Sequence, residues 1–263
     1  MDLKLRGKIA LVGGSSAGIG RAIARELANE GASVVICARE EQRLNETRDN
    51  MLKEFNCKIL AVPADLSKSR EIDQVITKSR QELGPIDILV NNTGGPPAGQ
   101  FEDLSPESWE AAVKLLLYSA LNLTRAVLPD MKARGWGRIL NVTSVAVKQP
   151  VDNLMLSNSL RSAVTGFART LANEVAPYGI TVNNVLPGHT KTERLQQLAS
   201  KVATQLEVDQ EEIYKRWKEN IPTGRFVDPN EFAALVTFLA SERASSITGT
   251  SIPVDGGWIR SLL

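Results

Sequence analysis

The stretch KIALVGGSSAGIG, residues 8–20, decides the fold class of this chain. An apolar run at Lys8–Val12 predicts a buried strand, and helical spacing over Ile19–Glu30 predicts the helix that follows the glycines. Glycines let the backbone turn sharply and approach a diphosphate, whose charge is favoured at the positive end of a helix. The stretch therefore predicts a dinucleotide site. A tight turn without a ligand is the alternative, disfavoured because strand, turn and helix follow in the required order.

The same alternation continues to the end of the chain. Further strands are expected at Ser33–Cys37, Lys58–Val62, Ile86–Val90, Arg138–Thr143, Ile180–Val185 and Thr250–Val254. Helices are expected at Glu41–Phe55, Arg70–Leu83, Pro106–Met131, Ser159–Ala176 and Pro229–Ser241. Strands that alternate with helices favour a parallel sheet covered on both faces. We predict one Rossmann-type, doubly wound α/β domain over residues 1–263, with about seven strands.

Composition excludes several classes of partner. The 263 residues carry 31 Lys+Arg against 30 Asp+Glu, a net charge of +1, which argues against nucleic acid or an anionic membrane as the main partner. The longest stretch without a charged residue, Val175–Thr190, is interrupted by prolines and glycines and is shorter than the ~20 residues that cross a bilayer. Cys37 and Cys57 form no metal-ligand pattern with His189, so we expect no metal site and a reducing cytoplasm.

The residue at the end of the second strand indicates which dinucleotide binds. An acidic residue there holds the ribose 2′-hydroxyl of NAD, whereas this chain has Arg39. A guanidinium pairs well with a 2′-phosphate, which favours NADP over NAD. The alternative is a solvated arginine beside Glu40 and Glu41.

Several motifs occur in an order that resembles the short-chain dehydrogenase/reductase family, and most of all its 3-oxoacyl-carrier-protein reductase-like members. They are Gly14-x-x-x-Gly18-Ile19-Gly20, Asp65-Leu66, Asn91-Asn92-Thr93-Gly94, Asn183-Asn184-Val185-Leu186-Pro187-Gly188 with Thr192, Pro222–Phe226, and Ile247–Gly257. The resemblance covers essentially the whole chain. It implies cofactor binding by Gly14, Ser16, Gly18, Ile19, Gly20, Arg39, Asp65, Leu66, Asn92, Gly94, Arg161, Pro187, Gly188, Thr190 and Thr192.

The resemblance also implies hydride transfer between a nicotinamide and a carbonyl or alcohol, with Asn, Ser, Tyr and Lys as the catalytic set. Here the four positions are Leu116, Ser144, Ser157 and Arg161. A serine hydroxyl is far less acidic than a phenol, whose pKa is ~10. A guanidinium can hold ribose hydroxyls, but a pKa above ~12 makes it a poor proton source. Two hypotheses stay open: an oxidoreductase with a non-standard site at Ser144, Ser157 and Arg161, and a non-catalytic cofactor-binding or regulatory protein.

Three other residues are candidates around that site. His189 follows the sixth strand, where ligands of open α/β sheets bind, and is either a proton shuttle or a packing residue. Tyr118 lies two residues after Leu116 and is expected to face away. Residues 189–221 resemble the family's substrate lid, in which Trp217 either closes the pocket or anchors the lid.

Two helices carry more apolar residues than one face against a sheet requires. They lie near Leu121 and Leu171. Either they are central helices covered by a loop, or they form a subunit interface. The resemblance favours a homo-oligomer, a tetramer or dimer, that acts on a small-molecule substrate.

Overall fold

The structure, a computed structural model, describes residues 2–262. Within these residues, seven parallel strands form one sheet in the order β3-β2-β1-β4-β5-β6-β7. The strands are β1 (Ile9–Gly13), β2 (Ser33–Ala38), β3 (Ile59–Pro63), β4 (Ile88–Asn91), β5 (Gly137–Val142), β6 (Ile180–Pro187) and β7 (Ser251–Val254). The predicted single-domain, doubly wound α/β fold is confirmed.

Helices cover both faces of the sheet. They are α1 (Gly18–Asn29), α2 (Glu41–Glu54), α3 (Ser69–Glu82), α4 (Pro106–Ala112), α5 (Ser119–Arg134), α6 (Met155–Val175), α7 (Glu193–Leu206), α8 (Gln210–Glu219) and α9 (Pro229–Leu239). Alternate residues of β1 enter different cores: Ala10 and Val12 pack with α1, α2 and α9, and Leu11 packs with α3, α5 and α6. Because both faces are buried, the strands are continuous apolar runs.

The segment predicted as one helix over 106–131 has three parts in the structure. A π-helical segment, Val113–Tyr118, separates α4 from α5, and the Ser119 hydroxyl donates to the carbonyl oxygen of Leu115 at 2.5 Å. A π-helical turn contains an extra residue, so it rotates the side chains that follow it about the helix axis. By length and composition the continuous helix Pro106–Arg134 is apolar enough to span a membrane. Here the Leu123 side of α5 packs against the sheet, which accounts for the apolar residues on that side.

The other apolar helix, α6, begins at Met155, earlier than the predicted Ser159, because Leu156 in its first turn is fully buried. Leu171 lies in the chain's own core, beneath β5 and β6. The apolar residues around Leu171 are therefore explained by burial within one chain.

A row of polar side chains crosses four adjacent strands. The amide of Asn91 in β4 donates to Asn141 in β5 at 2.8 Å, and Asn141 donates to Asn184 in β6 at 3.1 Å. Asn184 in turn donates to the Ser251 hydroxyl in β7 at 3.1 Å. The four residues are direct partners in the strand register. This amide row runs just below the carboxyl edge of the sheet, where the candidate site lies.

Candidate functional site

A cleft of about 480 Å³ opens at the carboxyl edge of the sheet. The loops after β1, β4, β5 and β6 form its floor, and the start of α7 forms one wall. In a parallel sheet all of these loops leave from the same edge, which is where ligands of open α/β folds bind.

The glycine turn between β1 and α1 has the shape that a diphosphate needs. Gly14 and Gly18 adopt positive φ angles of 57° and 53°. A Cβ added to Gly14 would lie 2.8 Å from the Asn92 amide, which itself donates to the carbonyl oxygen of Gly13 at 2.9 Å. Ala17, the N-cap of α1, provides no side-chain cap, and the first turn of α1 holds no acidic residue. The first N–H groups of α1 are therefore available to an anion, and the turn fits a dinucleotide.

Arg39 lies where β2 ends, at the far end of the cleft. It is exposed, lines the cleft, and forms no ion pair with a carboxylate among residues 2–262. Nearby, Asp65 accepts hydrogen bonds from the Ser67 hydroxyl and backbone N–H at 2.7 and 3.0 Å. Burial opposes ionisation of Asp65, but these hydrogen bonds together with the charges of Lys68 and Arg39 outweigh it and lower the pKa of the carboxyl.

Ser144, Ser157 and Arg161 come together on one side of the cleft. Ser157, only 8% exposed, accepts a hydrogen bond from the Arg161 Nε one helical turn later, at 3.1 Å. The Arg161 Nη1 donates to the carbonyl oxygen of Val142 at 2.8 Å. The Ser144 hydroxyl accepts from the Ala146 N–H at 3.1 Å, which leaves its own proton free to donate.

Burial, and then the neighbouring charge of Arg194, lowers the pKa of Arg161 to about 10. Desolvation lowers the pKa because it disfavours the charged form of the guanidinium. At neutral pH the guanidinium is still charged.

A small cavity of about 20 Å³ lies beside Arg161. It adjoins position 116, which corresponds to the catalytic asparagine of the family that the sequence resembles. Leu116 lines it from the π-helical segment. Two buried oxygens that also line it, Asn91 Oδ1 and Thr143 Oγ1, have no hydrogen-bond partner among residues 2–262. The volume is large enough for one water, and the two oxygens and the guanidinium are suitable hydrogen-bond partners for it.

The segment between β6 and α9 lies over the cleft. Thr192 caps α7 by accepting from the Leu195 N–H at 3.4 Å. Two cations join α7 to the loop after β4: Arg194 donates to the carbonyl oxygen of Pro96 at 2.9 Å, and Lys201 to that of Ala98 at 3.0 Å. Helices α7 and α8 pack on each other through Ala199 and neighbouring residues.

His189 lies in an aromatic stack at the inner end of this segment. Its ring centroid is 4.7 Å from that of Trp217 and 4.2 Å from that of Trp258. Burial lowers the pKa of His189 to about 4, which favours the neutral imidazole at physiological pH. The stacking on two tryptophans favours the packing alternative. The stack borders a second cavity, of about 1000 Å³, that adjoins the cleft.

The structure brings most of the predicted site residues together. The cleft is lined by Gly14, Gly18, Ile19, Gly20, Arg39, Asn92, Gly94, Ser144, Ser157, Arg161, Pro187, Gly188, Thr190 and Thr192. Ser16, Asp65 and Leu66 lie outside this lining: the Ser16 carbonyl accepts from Thr47, and Leu66 packs under Gly13. Tyr118 is 50% exposed, away from the cleft, as expected.

Sequence reasoning missed three residues. Ser15 joins the glycine turn to β2, because its hydroxyl accepts from the Cys37 N–H at 2.8 Å. Arg194 and Trp258 line the cleft. Arg194 lies two residues after the helix-capping Thr192, a position that a search for helix starts would have placed at the cleft.

Comparison with known proteins agrees with this geometry. The family model described as enoyl-(acyl carrier protein) reductase matches residues 14–259. The chain is 35% identical over 257 residues to the 3-oxoacyl-[acyl-carrier-protein] reductase FabG of Aquifex aeolicus, covering 98% of this chain and 99% of that one. It is 37% identical over 268 residues to the uncharacterized oxidoreductase YvrD of Bacillus subtilis, covering 100% of both. The crystal structure of L-sorbose reductase from Gluconobacter frateurii, complexed with NADPH and L-sorbose, superposes with a TM-score of 0.95 at 34% identity, covering 100% of both chains.

Proposed function

The chain belongs to the short-chain dehydrogenase/reductase family, and on that premise we propose that it is an NADP-dependent oxidoreductase that interconverts a carbonyl and an alcohol on a small molecule. One observation carries the proposal. The glycine turn, the free Arg39 and the hydrogen-bonded pair of Ser157 and Arg161 line a single cleft.

The residues that would hold the cofactor follow from the cleft. The glycine turn and the start of α1 suit the diphosphate, and Arg39 suits a 2′-phosphate because it is exposed to the cleft and forms no ion pair among residues 2–262. Asp65 and Leu66 are proposed beside the adenine, with Ser16 at the diphosphate. Asn92, Gly94, Pro187, Gly188, Thr190 and Thr192 are proposed along the nicotinamide half. When bound, NADPH supplies the hydride.

The two serines and Arg161 act on the substrate oxygen in this proposal. The Ser144 hydroxyl donates a hydrogen bond that orients the carbonyl. Ser157 Oγ gives its proton to the same oxygen as the alcohol forms, and regains a proton from solvent. The Arg161 Nε–H, 3.1 Å from Ser157 Oγ, stabilises the negative charge left on that oxygen. This charged hydrogen bond makes the Ser157 hydroxyl more acidic and so compensates in part for the missing phenol.

Arg161 has N–H groups to spare for a ligand. A guanidinium carries five, of which the hydrogen bonds to Ser157 and Val142 use two. The rest are enough for a ribose hydroxyl and for a substrate group. Residues 189–221 are proposed to act as the substrate lid, with Trp217 both lining the large cavity and packing on His189.

A second candidate function is cofactor binding without turnover. It is favoured by the residues that line the cleft, which include neither tyrosine nor lysine within the described part of the chain. Both candidates bind NADPH, and they differ in whether a substrate is reduced.

The test combines calorimetry and turnover. Titration of cofactor-free protein with NADPH and NADH should give clear NADPH binding and weaker NADH binding. In a carbonyl screen, Ser144→Ala should lower kcat by roughly 100-fold or more while NADPH affinity stays the same. Ser162→Ala, an exposed serine of α6, is the matched control. Absence of NADPH binding would refute both candidates, and binding without turnover in any screen would favour the second.

We also propose a cytoplasmic homo-oligomer, either a tetramer or a dimer. Tyr118, at the end of the π-helical segment, is half exposed, and Leu121 in α5 is partly exposed, so the core does not cover this part of the helix. Light scattering on the purified protein tests this, and a monomer at micromolar concentration would contradict it.

A further inference from the structure

Besides Arg39, two arginines in the cleft form no ion pair with another described residue. Among residues 2–262, Arg161 donates hydrogen bonds to Ser157 and Val142, and Arg194 donates one to Pro96. Among residues 2–262, neither guanidinium has a carboxylate within 4 Å. A charge held away from water without a counter-charge is costly, so an anion from outside the chain is expected.

The neighbouring acid does not supply that anion. Glu193 precedes Arg194 and also lines the cleft, but its carboxylate pairs with Arg43 of α2. Elsewhere in the cleft the proposed cofactor contacts account for the positive groups, with the diphosphate at α1 and the 2′-phosphate at Arg39. Ribose hydroxyls, the cofactor groups proposed at Arg161, carry no charge.

The position of the two guanidiniums relates them to the reacting oxygen. The Arg161 Nε lies 3.1 Å from Ser157 Oγ. The remaining N–H groups of the same guanidinium therefore lie close to the carbonyl oxygen that Ser157 would contact. Arg194 lies against Gly95, where an added Cβ would stand 3.2 Å from the Arg194 Nη2. Both guanidiniums line the same cleft, and the charge of Arg194 helps to lower the pKa of Arg161. A planar carboxylate suits this pair, because each of its oxygens can accept hydrogen bonds from guanidinium N–H groups.

Resting on the proposed function, we infer that the substrate is a short oxo acid, whose carboxylate binds Arg161 and Arg194 while its carbonyl meets Ser144 and Ser157. Because the guanidinium adjoins Ser157, the carboxylate lies one or two carbons from the carbonyl. In the reduction the carbonyl carbon gains the hydride of NADPH and its oxygen gains the Ser157 proton. The oxo acid becomes a hydroxy acid, NADPH becomes NADP⁺, and the carboxylate is unchanged.

Binding to the NADP⁺-saturated protein tests the inference without turnover. The probes are oxamate, a small carboxylate, and oxamide, its neutral counterpart, each titrated by calorimetry. Oxamate should bind roughly 10-fold tighter than oxamide or better, and Arg194→Met should remove that preference. NADPH affinity should change less than threefold. Arg216→Met, on the exposed side of α8, is the matched lid control and should leave both affinities unchanged.

Other outcomes overturn the inference. If Arg194→Met weakens NADPH binding 10-fold and leaves oxamate unaffected, the anion is the cofactor diphosphate. Equal binding of oxamate and oxamide also contradicts a carboxylate site. Turnover is scored separately, with 2-oxobutanoate against butanone. Oxamate binding with no reduction of any carbonyl keeps the carboxylate site and refutes the proposed oxidoreductase function.

Discussion

The aromatic stack around His189 predicts how the stability of this protein depends on pH. His189 is the one histidine of the chain, and burial between Trp217 and Trp258 lowers its pKa from 6.5 to about 4. Because the folded pKa lies below the unfolded one, the unfolded chain takes up the proton first as pH falls. The contribution to stability is complete above pH 6.5 and is lost progressively towards pH 4.

The magnitude follows from the two pKa values. When both states are fully protonated, the shift lowers the free energy of unfolding by ~3.4 kcal/mol. At pH 5 the loss is ~2 kcal/mol. The latter is an upper limit, since the imidazole is partly accessible from the cleft and is screened there by water.

The assay is urea unfolding at pH 7.5 and pH 5, followed by circular dichroism. The wild type should lose up to ~2 kcal/mol more than His189→Phe between these values, because phenylalanine keeps the stacking and removes the titration. Carboxylates titrate alike in both proteins and cancel in the comparison. Equal losses in the two proteins would refute the reasoning.

Three further predictions concern the cofactor turn and the sheet. In Gly20→Ala the new methyl group would overlap the Gly14 carbonyl oxygen, so NADPH affinity should fall at least ~10-fold. Gly166→Ala, on the open side of α6, is the control and should raise the free energy of unfolding by ~0.5–1 kcal/mol. Arg39→Ser should weaken NADPH ~10- to 100-fold and leave NADH within about twofold; an equal loss for both would show that Arg39 does not recognise the 2′-phosphate. Asn141→Ala removes one hydrogen bond each from the buried amides of Asn91 and Asn184 and should cost ~1–3 kcal/mol in urea unfolding. A cost below ~0.5 kcal/mol would contradict this.

The fold was predictable because its signals are local. Apolar runs and helical spacing placed all seven strands and most helices within a few residues. The π-helical segment at Val113–Tyr118 was missed, since an apolar run such as VKLLLY fits an α-helix equally well and only packing selects the wider turn. The start of α6 was missed for a related reason, because the burial of Leu156 is a tertiary effect.

The sequence predicts the parts of the site whose chemistry depends on residue type. It does not predict properties that arise when residues from distant parts of the chain come into contact. The glycine turn, Arg39 and the replaced catalytic positions follow from the sequence. The lowered pKa of Arg161 does not, because it arises from burial and from Arg194, which a different loop brings to the cleft. Similarly, the pKa of His189 is lowered by burial that includes Trp217 and Trp258, which come from distant parts of the chain.

The amide row across β4, β5, β6 and β7 also acts on assembly. A slip of β5 by one residue would bring Leu140 or Val142 opposite Asn91 and Asn184, so buried amides would face hydrocarbon. Each such loss costs ~1–3 kcal/mol, a large share of a typical ~5–15 kcal/mol of net stability. The row therefore disfavours incorrect register between strands that lie far apart in sequence. Ser144 lies three residues after Asn141, just beyond the end of β5, so the same alignment sets the position of the loop that carries Ser144.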